Sequence, residues 1–155
     1  MPALTPDQSN ESINVFLIGN NPIELGSIYN KLKDIKNRTF KTEISFNIKG
    51  ILAKIRKFRP SCILIDDNLE RLYIKKLLKS LASNNRTKNI PITVIKNSNY
   101  KEGFSHAQEY VLKDSLTSES LSISIHNSIK LKAMQTYLMK KIKKNKSKIE
   151  KFLGS

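Results

Sequence analysis

The chain has 155 residues, 39% of them apolar, which suits one domain with one core and short appendages. No stretch reaches the roughly 20 unbroken apolar residues of a membrane span, and the polar segment 1–12, with Pro2 and Pro6, lacks a signal peptide's apolar centre, so a disordered leader and a cytoplasmic protein are expected. The formal charge of +15 is unevenly placed, with nine Lys against one acid, Glu150, between Lys130 and Lys151; such charge attracts nucleic acid, anionic lipid or acidic protein faces.

The run 13–18 is short and almost continuously apolar and is closed by Gly19-Asn20-Asn21-Pro22, the pattern of a strand buried on both faces and then a turn. Ile23, Leu25, Ile28, Tyr29, Leu32 and Ile35 recur at helical spacing after Pro22, a good first helical residue, and predict a helix over 22–36. Residues 40–46 alternate like a half-buried strand, and Ile48, Ile51, Leu52, Ile55 and Phe58 mark a helix ending before Pro60. A third buried strand, 62–65, ends in Asp66-Asp67-Asn68 and contains the lone Cys62, which has no thiol partner and reads as a small core residue.

Leu69, Leu72, Ile74, Leu77, Leu78 and Leu81 predict the next helix, ended by 83–86. Residues 90–95 form the fourth strand, with Pro91 at its start, where a missing backbone donor is tolerated. A short, weakly patterned helix is placed over 100–107, a brief fifth strand over 110–112, and helical spacing then runs from Thr117 to Gly154 without an intervening Gly or Pro. Alternating strands and helices imply a parallel sheet with right-handed crossovers and helices on both faces. Ligands of such sheets bind at the carboxyl ends of the strands, which here carry Gly19-Asn20, Asp66-Asp67-Asn68, Lys96 and Lys113-Asp114.

In order and spacing these elements resemble the receiver domain of two-component response regulators, the CheY-like family, over 12–130. Arg59-Pro60-Ser61-Cys62-Ile63-Leu64-Ile65-Asp66 looks like the stretch leading to that family's phospho-accepting aspartate, which would be Asp66. Ile90-Pro91-Ile92-Thr93-Val94-Ile95 is similar to its fourth strand and His106-Ala107-Gln108-Glu109-Tyr110-Val111-Leu112-Lys113 to its fifth, with a switch aromatic at Tyr110 and the pocket lysine at Lys113. The resemblance implies a flavodoxin-like (βα)5 fold of class α/β, a doubly wound parallel five-stranded sheet over 13–130, followed by a basic helical extension over 131–155. It also implies a phosphorelay module that is not an enzyme and that has a histidine kinase or a downstream effector as partner.

Receiver chemistry needs a carboxylate nucleophile, Mg2+ held by acids at the end of the first strand, a lysine, and a hydroxyl after the fourth strand. Gly19-Asn20 stand where the family has its acidic pair, and Asn20, Asp66 and the Asn68 carbonyl would hold Mg2+ poorly. Lys96 takes the place of the switch hydroxyl; if Lys96 and Lys113 both approach Asp66, the Lys96 ammonium replaces the metal's charge and locks the pocket. Asp114 replaces the usual proline, which leaves the isomer of that peptide bond open, and the loop through Asp67 and Asn68 lacks the usual Met-Pro and Gly. The expectation is a pseudo-receiver with phosphorylation at Asp66 impaired or absent, working by protein contact around Tyr110; the plainer alternative is a strand-end aspartate capping the next helix. His106 and His126 have no ligand spacing and read as surface or helix residues.

Leu121, Ile125 and Ile129 can cover the sheet, but the stripe continues through Leu131, Met134, Leu138, Ile142, Ile149 and Phe152. A helix over 117–153 would span roughly 55 Å at about 1.5 Å per residue, beyond a small α/β core. Its three- and four-residue steps predict a short coiled coil with a stutter near Ile142 and Asn145 at the seam, for a homodimer or a docked partner. Lys140, Lys141, Lys143, Lys144, Lys146 and Lys148 occupy the other face, so a basic adaptor for nucleic acid or an acidic protein is the second reading, and a solvated tail the plain one. Aromatics are few there and no helix-turn-helix or zinc pattern occurs, which argues against sequence-specific DNA reading. A nucleotide-binding enzyme is disfavoured, since the Gly19 turn has neither a glycine-rich loop nor a P-loop lysine.

Overall fold

A computed structural model describes residues 12–36, 38–46, 49–98 and 103–154, so the expected leader lies outside the described residues except for Ser12, which opens the first strand. Apolar runs form β1 (Ser12–Ile18), β3 (Cys62–Asp66) and β4 (Ile92–Lys96), the alternating segment forms β2 (Thr39–Ser45), and the brief fifth run lies in β5 (Glu109–Leu112). Every pairing is parallel and the order is β2-β1-β3-β4-β5. The alternating strand β2 is a sheet edge, which explains its pattern: an edge strand is covered less completely than a central one.

Side chains alternate across the sheet, and two cores follow. Val15, Leu17, Cys62, Leu64, Ile95 and Val111 face α1 (Pro22–Lys33) and α4 (Ser118–Gly154). Phe16, Ile18, Ile63, Ile65 and Val94 face α2 (Ile51–Phe58) and α3 (Arg71–Ser83). The Asn21 side chain caps α1 by accepting from the Ile23 and Glu24 amides at 3.1 and 3.2 Å. Burial of Leu25, Ile28 and Leu32 holds α1 on the sheet, whereas Ile23 is exposed. On α3 the buried stripe is Ile74, Leu77, Leu78 and Leu81. Leu72, expected in that stripe, is 70% exposed, and Leu69 is buried in the turn before the helix.

The helix expected over 100–107 is corrected in part: 100–102 lie outside the described residues, and 103–107 contain a turn at Ser105-His106 with no helix. Phe104 is buried there, and the Tyr110 hydroxyl serves its backbone twice, accepting from the Phe104 amide at 2.7 Å and donating to the Phe104 carbonyl at 3.1 Å. Tyr110 thus supplies the partners that a helix would have given these groups.

Lys113–Ser115 forms a 3-10 turn, and the described residues contain no cis peptide bond, so Lys113–Asp114 is trans. Thr117 and Ser120 cap α4 reciprocally, the Ser120 amide donating to Thr117 Oγ1 at 3.0 Å and the Thr117 amide to Ser120 Oγ at 2.9 Å. Leu121, Ser124, Ile125 and Ser128 bury the base of α4, Lys132 and Thr136 are half-buried, and every residue from Tyr137 to Gly154 is exposed. Among the described residues no helix is long and apolar enough to cross a membrane.

Candidate functional site

Parallel registration brings the ends of β1, β3, β4 and β5 to one edge, because Ile18 pairs with Ile65, Asp66 with Ile95, and Lys96 with Leu112. Asp66 sits at that edge and is only 1% exposed. Its Oδ2 accepts from Lys113 Nζ at 2.7 Å, and its Oδ1 accepts from the Asn68 amide at 3.1 Å and from Asn97 Nδ2 at 3.0 Å. Lys113 Nζ also donates to Glu24 Oε2 at 2.9 Å, so one ammonium bridges a carboxylate of α1 and one of β3. Asn68 Nδ2 donates to Glu24 in turn, and Asp67 Oδ1 accepts from the Asn97 amide at 2.9 Å and from the Asn97 side chain. Burial by itself pulls the Lys113 pKa down, but the hydrogen bonds to Asp66 and Glu24, with their charges, outweigh it and the net pKa is raised.

Of the residues singled out in the sequence, Asp66, Asp67, Asn68 and Lys113 meet in this pocket, while Asn20 is exposed at its rim. Gly19 is closed in: a Cβ there would lie 2.8 Å from Leu25 Cδ2 and 3.2 Å from Asp66 Cβ. The space next to Asp66 at the end of β1 is therefore taken by Leu25. The Lys96 ammonium lies 5.5 Å from the centroid of the Tyr110 ring, a cation–π arrangement, and it is Lys113 that donates to Asp66.

Glu24 and Asn97 were not foreseen. Glu24 reads as an ordinary first-turn acid of α1, and Asn97 follows the strand end by one residue; only the packing of α1 over the β3 and β5 ends unites them.

Mg2+, which requires near-octahedral oxygen ligands, would have to compete for these residues with the partners they already have. Asp66 Oδ2 and Glu24 Oε2 are engaged by an ammonium and Asp66 Oδ1 by two N–H donors. Asn68 presents its amide nitrogen to Glu24, and among the described residues no three His, Cys, Asp or Glu side chains are grouped to hold a metal.

Elsewhere, Cys62 is fully buried; burial drives its thiol pKa from 9.0 up to about 11, against a smaller opposing hydrogen bond with Ser128 Oγ at 3.5 Å. His126 is a helix residue, its Nδ1 lying 2.7 Å from the Ser122 carbonyl, and His106 is exposed. Lys140, Lys141, Lys143, Lys144, Lys146 and Lys148 are all exposed along α4.

No protein-family model and no curated protein matches the chain. Solved structures do. A response regulator from Desulfuromonas acetoxidans aligns at TM-score 0.62 and 20% identity, over 77% of this chain and 98% of its own. The receiver domain of a sensor histidine kinase from Pseudomonas aeruginosa PAO1, solved with a magnesium ion coordinated in its active site cleft, aligns at 0.63 and 14% over the same shares. A fusion carrying residues 181–211 of the trimeric coiled coil of yeast Spc42 aligns at 0.63 and 13% over 95% of this chain and all of its own. The fold is that of response-regulator receiver domains, and with the fusion the likeness extends into the long final helix.

Proposed function

We propose that the protein is a two-component-type signalling receiver that acts by protein contact, with phosphorylation at Asp66 impaired or absent. The observation that carries this reading is the end of β1, where Gly19 and Asn20 stand in place of acids and Leu25 closes on Gly19 beside Asp66. Both oxygens of Asp66 are occupied, and Lys96 and Asn97 supply no hydroxyl after β4. The module acts in the cytoplasm, has no enzymatic activity of its own, and meets a histidine kinase or an effector through the Tyr110 side of the sheet and through α4.

A second reading is favoured by one observation on α4. Leu138, Ile142, Ile149 and Phe152 are each about half or more exposed, with Lys141, Lys146 and Lys148 beside them at helical spacing. Two such helices in parallel would oppose like charges along the seam, so an acidic protein suits this stripe better than a second copy or nucleic acid.

The test is the mass of the protein after incubation with acetyl phosphate and Mg2+, beside Asp66→Ala, with light scattering on the same samples. No added phosphoryl group and an unchanged oligomeric state are expected. A phosphoryl group gained by the parent and lost in the variant would overturn the first reading.

A further inference from the structure

The buried row of α4 and its exposed apolar row are two different faces of one helix. Leu121, Ser124, Ile125 and Ser128 meet the sheet, and Lys132 and Thr136, in line with them, are half-buried. Leu131, Met134, Leu138, Ile142 and Ile149 are 40 to 59% exposed, and at about 3.6 residues per turn they lie roughly a third of a turn round from that row. The exposed row is therefore no continuation of the core. It begins while the helix is still held by the domain and runs on past it.

Its members follow one another at steps of three, four and four residues: Leu131, Met134 and Leu138, then Ile142, Asn145 and Ile149. Eleven residues make about three turns, so the second triplet stands in line with the first on a straight helix. A line this narrow is the seam of a coiled coil. Asn145 sits within it, an amide that is costly to bury in lipid but that sets register between paired helices. Lys141 and Lys148 precede Ile142 and Ile149 on one flank of the seam, and Lys146 follows Asn145 on the other; charges at these flanking places decide which helix pairs and in which direction. A second copy laid parallel would bring Lys141 against Lys146 of the other copy, and one laid antiparallel would set the flank of Lys141 and Lys148 against itself, so like charges oppose in both directions.

We propose that this seam pairs with an acidic amphipathic helix of a partner protein in a two-stranded coil, with apolar residues opposite Leu138, Ile142 and Ile149, an amide opposite Asn145, and carboxylates beside Lys141, Lys146 and Lys148. Charge complementarity along the flanks selects this occupant, since the cations that repel a second copy attract a helix carrying Glu at the same places. The inference rests on the second reading above, an acidic protein on α4, and specifies it: the partner is helical, and its carboxylates keep the period of the seam.

The probe is a synthetic peptide with Leu at steps of three, four and four residues, one Asn in the place opposite Asn145 and Glu on both flanks. It is titrated, beside a scrambled peptide of the same composition, into the full 155-residue chain and followed by backbone amide NMR. Shifts grouped on 131–152 are expected with the first peptide and none with the second. The double variant Lys141→Glu, Lys148→Glu should bind the Glu peptide at least about ten-fold more weakly, through like charges placed opposite, and should gain binding to a counterpart peptide with Lys on its flanks. Its melting temperature should be unchanged, since surface substitutions away from special features seldom change stability. Equal binding by the scrambled peptide would overturn the helical pairing and leave an acidic partner standing; no binding by either peptide at millimolar concentration would overturn both. A chain that is dimeric by light scattering, and that Ile142→Asn makes monomeric, would assign the seam to a second copy. Binding to vesicles of phosphatidylcholine and phosphatidylserine that is lost in Ile142→Asn would assign it to a lipid surface, and displacement of the peptide by an equal concentration of a single-stranded oligonucleotide would assign it to nucleic acid. Each of these three outcomes overturns the proposal.

Discussion

Glu24 and Lys113, 89 positions apart in sequence, meet at 2.9 Å beside the almost fully buried Asp66. One cation thereby ties α1, the end of β3 and the turn after β5 together, and its loss leaves a carboxylate in the protein without its charge partner. Lys113→Met should lower unfolding stability by about 2–4 kcal/mol, the lower end because the ammonium is 20% exposed. Urea unfolding measures it, with Glu24→Gln, at the more exposed carboxylate, as the milder comparison. A loss below about 0.5 kcal/mol for Lys113→Met would mean that solvent screens the bridge.

Restoring an acid at the end of β1 should not restore a metal site. A Cβ at Gly19 meets Leu25 Cδ2 at 2.8 Å, so Gly19→Ala should cost about 1–3 kcal/mol through forced movement in a packed site. Gly19→Asp should cost more and should bind Mg2+ no better by isothermal titration. Tight Mg2+ binding by Gly19→Asp would show that Leu25 and Lys113 yield readily.

The five strands, their parallel sheet and the edge at which Asp66, Asp67, Asn68 and Lys113 gather were legible because continuous apolar runs and helical stripes are local patterns, and parallel strands leave few topologies. The rest depended on tertiary contacts. Residues 103–107 form no helix because Tyr110 satisfies the Phe104 backbone from outside, which no propensity encodes. Glu24 joins the pocket only because α1 packs over the end of β3. Lys96 has the strand parity of Ile92 and Val94, and Val94 is paired with Tyr110 across the sheet, so its position over that ring could have been read from the period-two rule. Leu72 fitted the apolar period by letter alone; its one-residue offset from the buried stripe of Ile74, Leu77, Leu78 and Leu81 turns it outward.

Alkaline pH should loosen the core through Cys62. Its folded pKa of about 11 lies above 9.0, so the unfolded chain ionises first, and stability that is complete below pH 9 is lost between pH 9 and about 11. The loss from this thiol amounts to about 2–3 kcal/mol. Lys113, whose folded pKa is raised above 10.5, adds a loss only above that pH. Urea midpoints from pH 8 to 11 should fall less steeply in Cys62→Ala, and iodoacetamide at pH 8 should label the unfolded chain and spare the folded one. Rapid labelling of the folded protein would show that the base of α4 opens readily over Cys62.

Tyr110→Phe removes the hydroxyl that both accepts from and donates to the Phe104 backbone. A cost of about 1–3 kcal/mol is expected from the unsatisfied groups, with faster amide exchange confined to 103–108. Gly103→Ala should act in the same direction, since its Cβ would meet the Tyr110 hydroxyl at 2.6 Å. If exchange quickened equally in β1, the crossover would be no separate unit.

The rigid length of α4 converts small adjustments at its root into large ones at its tip. Thr136, half-buried, is the last residue of α4 that the domain holds, and from there to Gly154 the helix extends about 27 Å at 1.5 Å per residue. A tilt of about 5° there would carry the tip through about 2 Å. The appended helix thus has the geometry of a lever arm.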